Sequence, residues 1–210
     1  VSSRVLLATR NPGKIRELHR IVAELSLPIE VLGLDDVPAY EPGPETGATF
    51  ADNALAKARE AVVATGLPAL ADDSGLAVDA MNGMPGVLSA RWAGRHGDDP
   101  ANLDLVLGQL ADVPDERRGG AFVCAAALVT PGGPGIGSET VTHGEWRGEL
   151  IRAPRGTNGF GYDPIFVPDE ERAGAGRTSA ELSPDEKDAL SHRGRAFRAL
   201  APALASLAHP

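Results

Sequence analysis

Runs of apolar residues along the chain switch between continuous stretches and helical spacing, and those switches predict its elements. Val5-Leu6-Leu7-Ala8 reads as a first buried strand, and Ile15, Leu18, Val22 and Leu25 then recur at helical intervals. Ile29–Leu34 reads as a second strand, followed by an acidic Pro- and Gly-rich loop over Asp35–Gly47. Thr49 is expected to cap a helix with Asp52 three residues on, and Ala51, Leu55, Ala58 and Val62 form its apolar face. Asn53 and Lys57, four apart, share a different face of that helix. Ala69-Leu70-Ala71 predicts a short buried strand ending in Asp72 and Asp73, with Ser74-Gly75 turning the chain before Leu76-Ala77-Val78. A helix is expected over Pro100–Leu110. Ala121–Thr130 and Ser138–Trp146 read as two strands joined loosely through Pro131–Gly135. A short strand, Ile165-Phe166-Val167, precedes a strong helix start at Ser183-Pro184-Asp185-Glu186, and Phe197, Leu200, Leu204 and Leu207 line a closing helix.

Composition narrows the classes. A chain of 210 residues can bury a sizeable core as one domain, and a formal charge of −9 argues against a nucleic-acid partner, which needs a basic face. The lone Cys124 sits in an apolar run and reads as an inert core thiol. No apolar stretch is long enough to span a bilayer, and the N-terminus has no signal-peptide pattern, so a cytoplasmic location without a membrane partner is expected. Only three of the 20 basic residues are lysines, Lys14, Lys57 and Lys187. Against that bias toward arginine, each marks a place where a compact ammonium is useful, as beside a phosphate.

Chemistry concentrates in a few stretches. Asp72-Asp73-Ser74-Gly75 is either a simple turn or a pair of acids at a strand end, where two carboxylates repel unless they share a cation or proton. Thr9-Arg10-Asn11-Pro12-Gly13-Lys14 joins a strand to a helix start. Free backbone N–H groups, the helix dipole and an ammonium would converge there on an anion. It is not a Walker A loop, because Ile15 stands where a magnesium-binding Ser or Thr would be. In Gly156–Pro164, glycines around Phe160 and Tyr162 let a flat ligand approach the backbone and stack, with Asp163 as an acceptor; the plain alternative is a bulged turn. His192 and Arg193 offer several donors to an oxygen-rich ligand, whereas His143 reads as structural or exposed.

Six segments occur together in one order: Thr9–Lys14, Thr49–Ala54, Ala71–Leu76, Gly86–Trp92, Gly159–Pro164 and Ser191–Arg193. On these the chain resembles the inosine triphosphate pyrophosphatase family, in its bacterial HAM1-like dITP/XTP pyrophosphatase branch. The resemblance covers nearly the whole sequence. It implies an α/β fold with a long central mixed sheet flanked by helices, forming one domain of two lobes over residues 1–210 with the site in the cleft between them. It also implies a magnesium-dependent homodimer that hydrolyses ITP, dITP and XTP to the monophosphate and pyrophosphate by attack of water on the α-phosphorus. On matching positions, Thr9, Arg10, Asn11, Pro12, Gly13 and Lys14 bind the triphosphate, with Lys57 near it and Ser74 touching substrate. Asp73 is then proton acceptor and magnesium ligand. Phe160, Gly161, Tyr162 and Asp163 hold the base, and Lys187, His192 and Arg193 contact base and nucleotide. Many relatives of that family carry two consecutive glutamates before Thr-Gly, the first helping to coordinate magnesium, where this chain has Pro44-Glu45; either Glu45 or Glu41 substitutes, or water completes the shell. The reading further expects Lys14 and Asp73 to open onto one crevice. Two other readings stand beside it: a pyrophosphohydrolase of different base preference, and a non-catalytic nucleotide sensor.

Overall fold

The computed structural model describes residues 3–133 and 135–207. Six strands, β1 (Ser3–Leu7), β2 (Ile29–Leu32), β3 (Ala69–Val78), β4 (Gly119–Gly132), β5 (Gly135–Leu150) and β6 (Phe166–Pro168), form one sheet in the order β2-β1-β3-β4-β5-β6. β1 pairs in parallel with both β2 and β3, whereas β5 and β6 are antiparallel, so the sheet is mixed. The helices are α1 (Pro12–Glu24), α2 (Phe50–Thr65), α3 (Asp99–Gln109), α4 (Asp169–Arg172), α5 (Pro184–Leu190) and α6 (His192–Leu207).

The chain divides into two compact units. The first comprises Val1–Asp73, Cys124–Gly144 and Arg193–Pro210, and the second Ser74–Val123 and Glu145–His192. In the first unit, strand alternation sorts the core into two faces. Val5, Leu7, Leu70, Cys124, Ala126 and Leu128 pack with Leu18, Ile21 and Val22 of α1 and with Phe197, Leu200 and Leu204 of α6. Leu6, Ala8, Ala69, Ala71, Ala125 and Ala127 turn the other way, against Ala54, Ala58, Ala61 and Val62 of α2. Alanine on both sides of that contact brings α2 close to the strands. In the second unit, Leu76, Val78, Phe122, Trp146, Ile165 and Phe166 pack with Leu103, Val106 and Leu110 of the α3 region. Arg118 is buried there and donates to the carbonyls of Leu110 at 2.5 Å, Leu150 at 2.7 Å and Ile151 at 3.2 Å. Its charge lies at the C-terminal end of α3, where the helix dipole favours a cation.

Three local expectations are corrected. Ser74-Gly75 does not turn the chain: β3 runs straight through it, so Asp72 and Asp73 lie within a ten-residue strand rather than at its end. Gly75 is needed for close approach instead, since a Cβ there would come within 2.3 Å of Ser89 Oγ and 2.5 Å of the Gly86 carbonyl. Leu76 N–H donates to that same Ser89 Oγ at 2.9 Å. The link between β4 and β5 is short, not loose. Pairing continues past Thr130, whose Oγ1 accepts from Ser138 N at 3.0 Å, and only residues 133 and 134 separate the strands. Of that linker, Pro134 lies outside the described residues. The second strand ends at Leu32, and Leu34–Asp36 forms a 3-10 turn.

Candidate functional site

In the first unit, the alternation that sorts the core also separates the two acids. Asp72 follows Leu70 onto the α1 and α6 side, while Asp73 follows Ala69 and Ala71 onto the α2 side. Consecutive carboxylates in an extended strand therefore need not share one cation, and here each collects its own. Asp72 Oδ2 accepts from Lys14 Nζ at 2.9 Å and from Arg193 Nε at 3.3 Å. Burial by itself would raise the pKa of Asp72, but Lys14 and Arg193 outweigh it and hold the carboxyl well below its ordinary value. Among the described residues nothing hydrogen-bonds its buried Oδ1. Arg193 is fully buried, and its guanidinium also donates to Glu17 of α1. Cys124 lies against Asp72, and burial with that neighbour pushes its thiol pKa up, so it is inert as a nucleophile.

Asp73 is held from α2. Asn53 Nδ2 donates to Oδ2 at 2.9 Å and Lys57 Nζ to Oδ1 at 3.0 Å, so the two residues spaced four apart both reach the same carboxylate. Thr49 caps α2 in a capping box with Asp52, as expected. Asn53 Oδ1 accepts from Gly47 N–H at 2.8 Å, which pins the preceding loop and places Glu45. Glu45 Oε1 lies 2.5 Å from Lys57 Nζ, whereas Glu41 is exposed. Burial would lower the pKa of Lys57; Asp73 and Glu45 outweigh it and raise it.

The Thr9–Lys14 loop departs from its expected state. Asn11 caps α1, its Oδ1 accepting from Gly13 N–H at 2.8 Å and Lys14 N–H at 3.1 Å, while Asn11 N–H bonds Thr9 Oγ1. Pro12 has no N–H to offer. The first-turn donors are thus already engaged by the loop itself, and Arg10 donates to the Tyr40 carbonyl. Lys14 reaches Asp72 rather than Asp73.

In the second unit, the glycine-aromatic segment is a built loop around Asp163. This carboxylate is buried and accepts from Lys187 Nζ at 2.6 Å, Phe160 N–H at 2.9 Å and Ser179 Oγ at 2.8 Å. Gly159 has φ 76°, and a Cβ there would fall 2.0 Å from Asp163 Oδ2, so only glycine fits. Gly161 N–H donates to Asp99 of α3 at 2.9 Å. Tyr162 is buried with its hydroxyl donating to the Ser89 carbonyl, so it anchors the loop instead of facing a ligand. Lys187 Nζ stands 5.1 Å from the Phe160 ring centroid, leaving a half-buried ring beside an ammonium. His192 stacks on Phe122 with centroids 5.0 Å apart and an interplanar angle of 14°. Ser74, the first residue of this unit, is half-buried, and His143 is exposed.

A family model, the Ham1 family, matches residues 5–203. The chain belongs to the Ham1 family. It is 62% identical over 207 residues to a protein of Nocardia farcinica named dITP/XTP pyrophosphatase, covering 98% of this chain and 97% of that one. A protein of the same name from Streptomyces coelicolor is 57% identical over 205 residues, with 98% of both chains covered. Among solved structures, a HAM1 protein from Coxiella burnetii superposes with a TM-score of 0.81 at 42% identity, over 97% of this chain and 99% of that one. A nucleoside-triphosphatase / dITP/XTP pyrophosphatase from Mycobacterium abscessus gives 0.73 at 62% identity, over 95% and 99%.

Sequence reasoning missed three supporting residues of this Ham1 chain. Glu17 stands in the buried stripe of α1 beside Leu18 and Ile21, and a charge at such a position is the signal that could have revealed it. Ser179 and Asp99 carry no comparable mark, because their partners are remote in sequence.

Proposed function

We propose that this chain hydrolyses deaminated purine nucleoside triphosphates, ITP, dITP and XTP, to the monophosphate and pyrophosphate. The observation that carries the reading is the pair of consecutive carboxylates, Asp72 and Asp73, each already holding a lysine, in a Ham1 chain whose full-length relatives bear the name dITP/XTP pyrophosphatase. In this reading Lys14 and Lys57 meet the phosphates, and Phe160, Lys187 and His192 meet the purine.

Charge decides what else the first unit needs. Lys14, Lys57 and Arg193 stand against Glu17, Glu45, Asp72 and Asp73, three cations for four anions. A triphosphate adds about four negative charges, which this set cannot neutralise alone. A divalent cation supplies part of the difference. Among the described residues no three His, Cys, Asp or Glu side chains form a metal cage. Magnesium does not require one, because it takes one or two carboxylates and fills its octahedron with water and substrate phosphate. Glu45 and Asp73 converge on a single cationic point, so they fit. When bound, magnesium would screen the phosphate oxygens.

The chain's own groups do the rest. Lys14 and Lys57 exchange carboxylate oxygens for phosphate oxygens. Asp73, fixed by Asn53, accepts the proton of the water that attacks the α-phosphorus. Lys187 and His192 present donors to the 6-oxo group; adenine offers an amine there and would leave a buried donor unmet, at about 1–3 kcal/mol each. Because Arg193 spends its guanidinium on Glu17 and Asp72, it acts through Asp72 rather than on the base. The family resemblance adds a homodimer, and a nucleotide-pool activity points to the cytoplasm; among the described residues no helix is long and apolar enough to cross a membrane.

The test is a triphosphate panel with magnesium in isotopically labelled water. ITP, dITP and XTP should release pyrophosphate far faster than ATP, with the label on the monophosphate. Equal rates on all purines would remove the selectivity argument, and binding without pyrophosphate release under any divalent metal would make this a sensor.

A further inference from the structure

We propose that Lys57 is the resident counter-ion of the Glu45–Asp73 pair, which a divalent cation must displace, so that metal and polyphosphate bind as a linked pair rather than independently. The inference rests on the magnesium reading above and adds to it an occupant that competes for the same oxygens.

An ammonium carries three N–H donors. Lys57 Nζ has three oxygens around it: Glu45 Oε1 at 2.5 Å, Asp73 Oδ1 at 3.0 Å and the Asp72 carbonyl at 3.4 Å. The donors are therefore matched by acceptors from two separate segments, the loop before α2 and strand β3. Asp73 cannot swing aside freely, since Asn53 Nδ2 holds its other oxygen. Asn53 also ties down the loop through Gly47, so Glu45 is delivered to this point by the same residue that orients Asp73.

Two carboxylates brought to one point repel each other unless something positive lies between them. Lys57 does that work from α2, with a side chain only 22% exposed. A dication approaching Glu45 Oε1 and Asp73 Oδ1 meets this ammonium at contact distance, a like-charge encounter in a partly dry setting. For the metal to bind alone, Lys57 must give up these oxygens for solvent. A polyphosphate changes that balance, because its oxygens take the displaced ammonium while its remaining charge attracts the metal. Linkage makes the effect reciprocal: whatever polyphosphate does for metal affinity, metal does for polyphosphate affinity.

The full-length chain tests this by calorimetric titration of Mg2+ alone, in the absence of any nucleotide. Lys57→Met keeps the aliphatic stem and deletes the charge. It should bind the metal about tenfold more tightly than the wild type, within the usual range of a coupling between sites. Lys57→Arg keeps the charge and should bind as weakly as the wild type. Lys57→Met combined with Glu45→Gln should lose the gain. Thermal unfolding of each variant verifies that it is folded before titration. If folded Lys57→Met binds Mg2+ no more tightly than the wild type, the exchange is overturned while the metal reading stands. If no variant binds Mg2+ alone, the exchange is overturned, and pyrophosphate release that persists with all divalent metal chelated overturns the metal reading.

Discussion

Asp72 and Asp73 occupy adjacent positions of an extended strand, so they point to opposite faces and acquire opposite duties. Asp72 is buried among Lys14 and Arg193, while Asp73 keeps slight exposure and is oriented by Asn53 and Lys57. Proton acceptance belongs to the second of these on the proposed reading. Asp73→Asn preserves size and one of the two acceptor oxygens but removes the base, and should lower kcat by about 10²–10⁴-fold with nucleotide binding retained. Single-turnover kinetics and equilibrium nucleotide binding check the split; turnover near wild type would take Asp73 out of the reaction. The pairing of two acids was visible in the sequence as two letters. Which lysine each would hold was not, because that depends on the face of β3 each presents and on which helix covers that face.

Among the elements, the loops around the second unit's Asp163 show how glycine positions are spent. Gly159 is held at positive φ with its missing Cβ directly over Asp163 Oδ2. Gly159→Ala must push that carboxylate off Lys187 or Phe160 N–H, and should destabilise the protein by about 1–3 kcal/mol while weakening purine binding. Denaturant unfolding and nucleotide titration report the two effects, and an unchanged midpoint would contradict the packing described. Helix starts at Thr49 and Ser183 were legible because capping is a local interaction over three residues, whereas the Asn11 cap emerged only in the structure. The continuity of β3 was not legible either, since Ser-Gly has the chemistry of a turn. Ser89 comes against Gly75 from fourteen residues away and accepts from Leu76 N–H, a contact that the local sequence does not announce.

For the molecule as a whole, acid should be the weak direction. The carboxyls of Asp72, Asp79, Glu139, Glu171 and Glu186 are all held below their ordinary values. A depressed folded-state pKa gives stability that is present above the unfolded value and is lost as pH falls through the folded one. Asp79, Glu139, Glu171 and Glu186 are solvated ion pairs or caps and contribute little; Asp72 is buried, so it dominates. Denaturation midpoints should therefore hold near neutrality and fall progressively once the pH drops below the ordinary 3.8 of Asp72. Asp72→Asn strands Lys14 and Arg193 beside an uncharged group. It should cost about 3–5 kcal/mol at pH 7 and flatten the acid limb. An acid limb as steep in the variant as in the wild type would show that other groups carry it.

What the sequence determined by itself was whatever local chemistry controls: the capped helices, the strands of continuous apolar residues, the inert buried thiol, and six segments in one order that marked the family. What the tertiary structure decided was how the charges are shared. Lys14 goes to Asp72, Lys57 lies between Glu45 and Asp73, and Arg193 is buried against Glu17. A side chain's partner in a buried ion pair is chosen by desolvation and by which face of the sheet it meets, and neither is written in the spacing of letters along the chain.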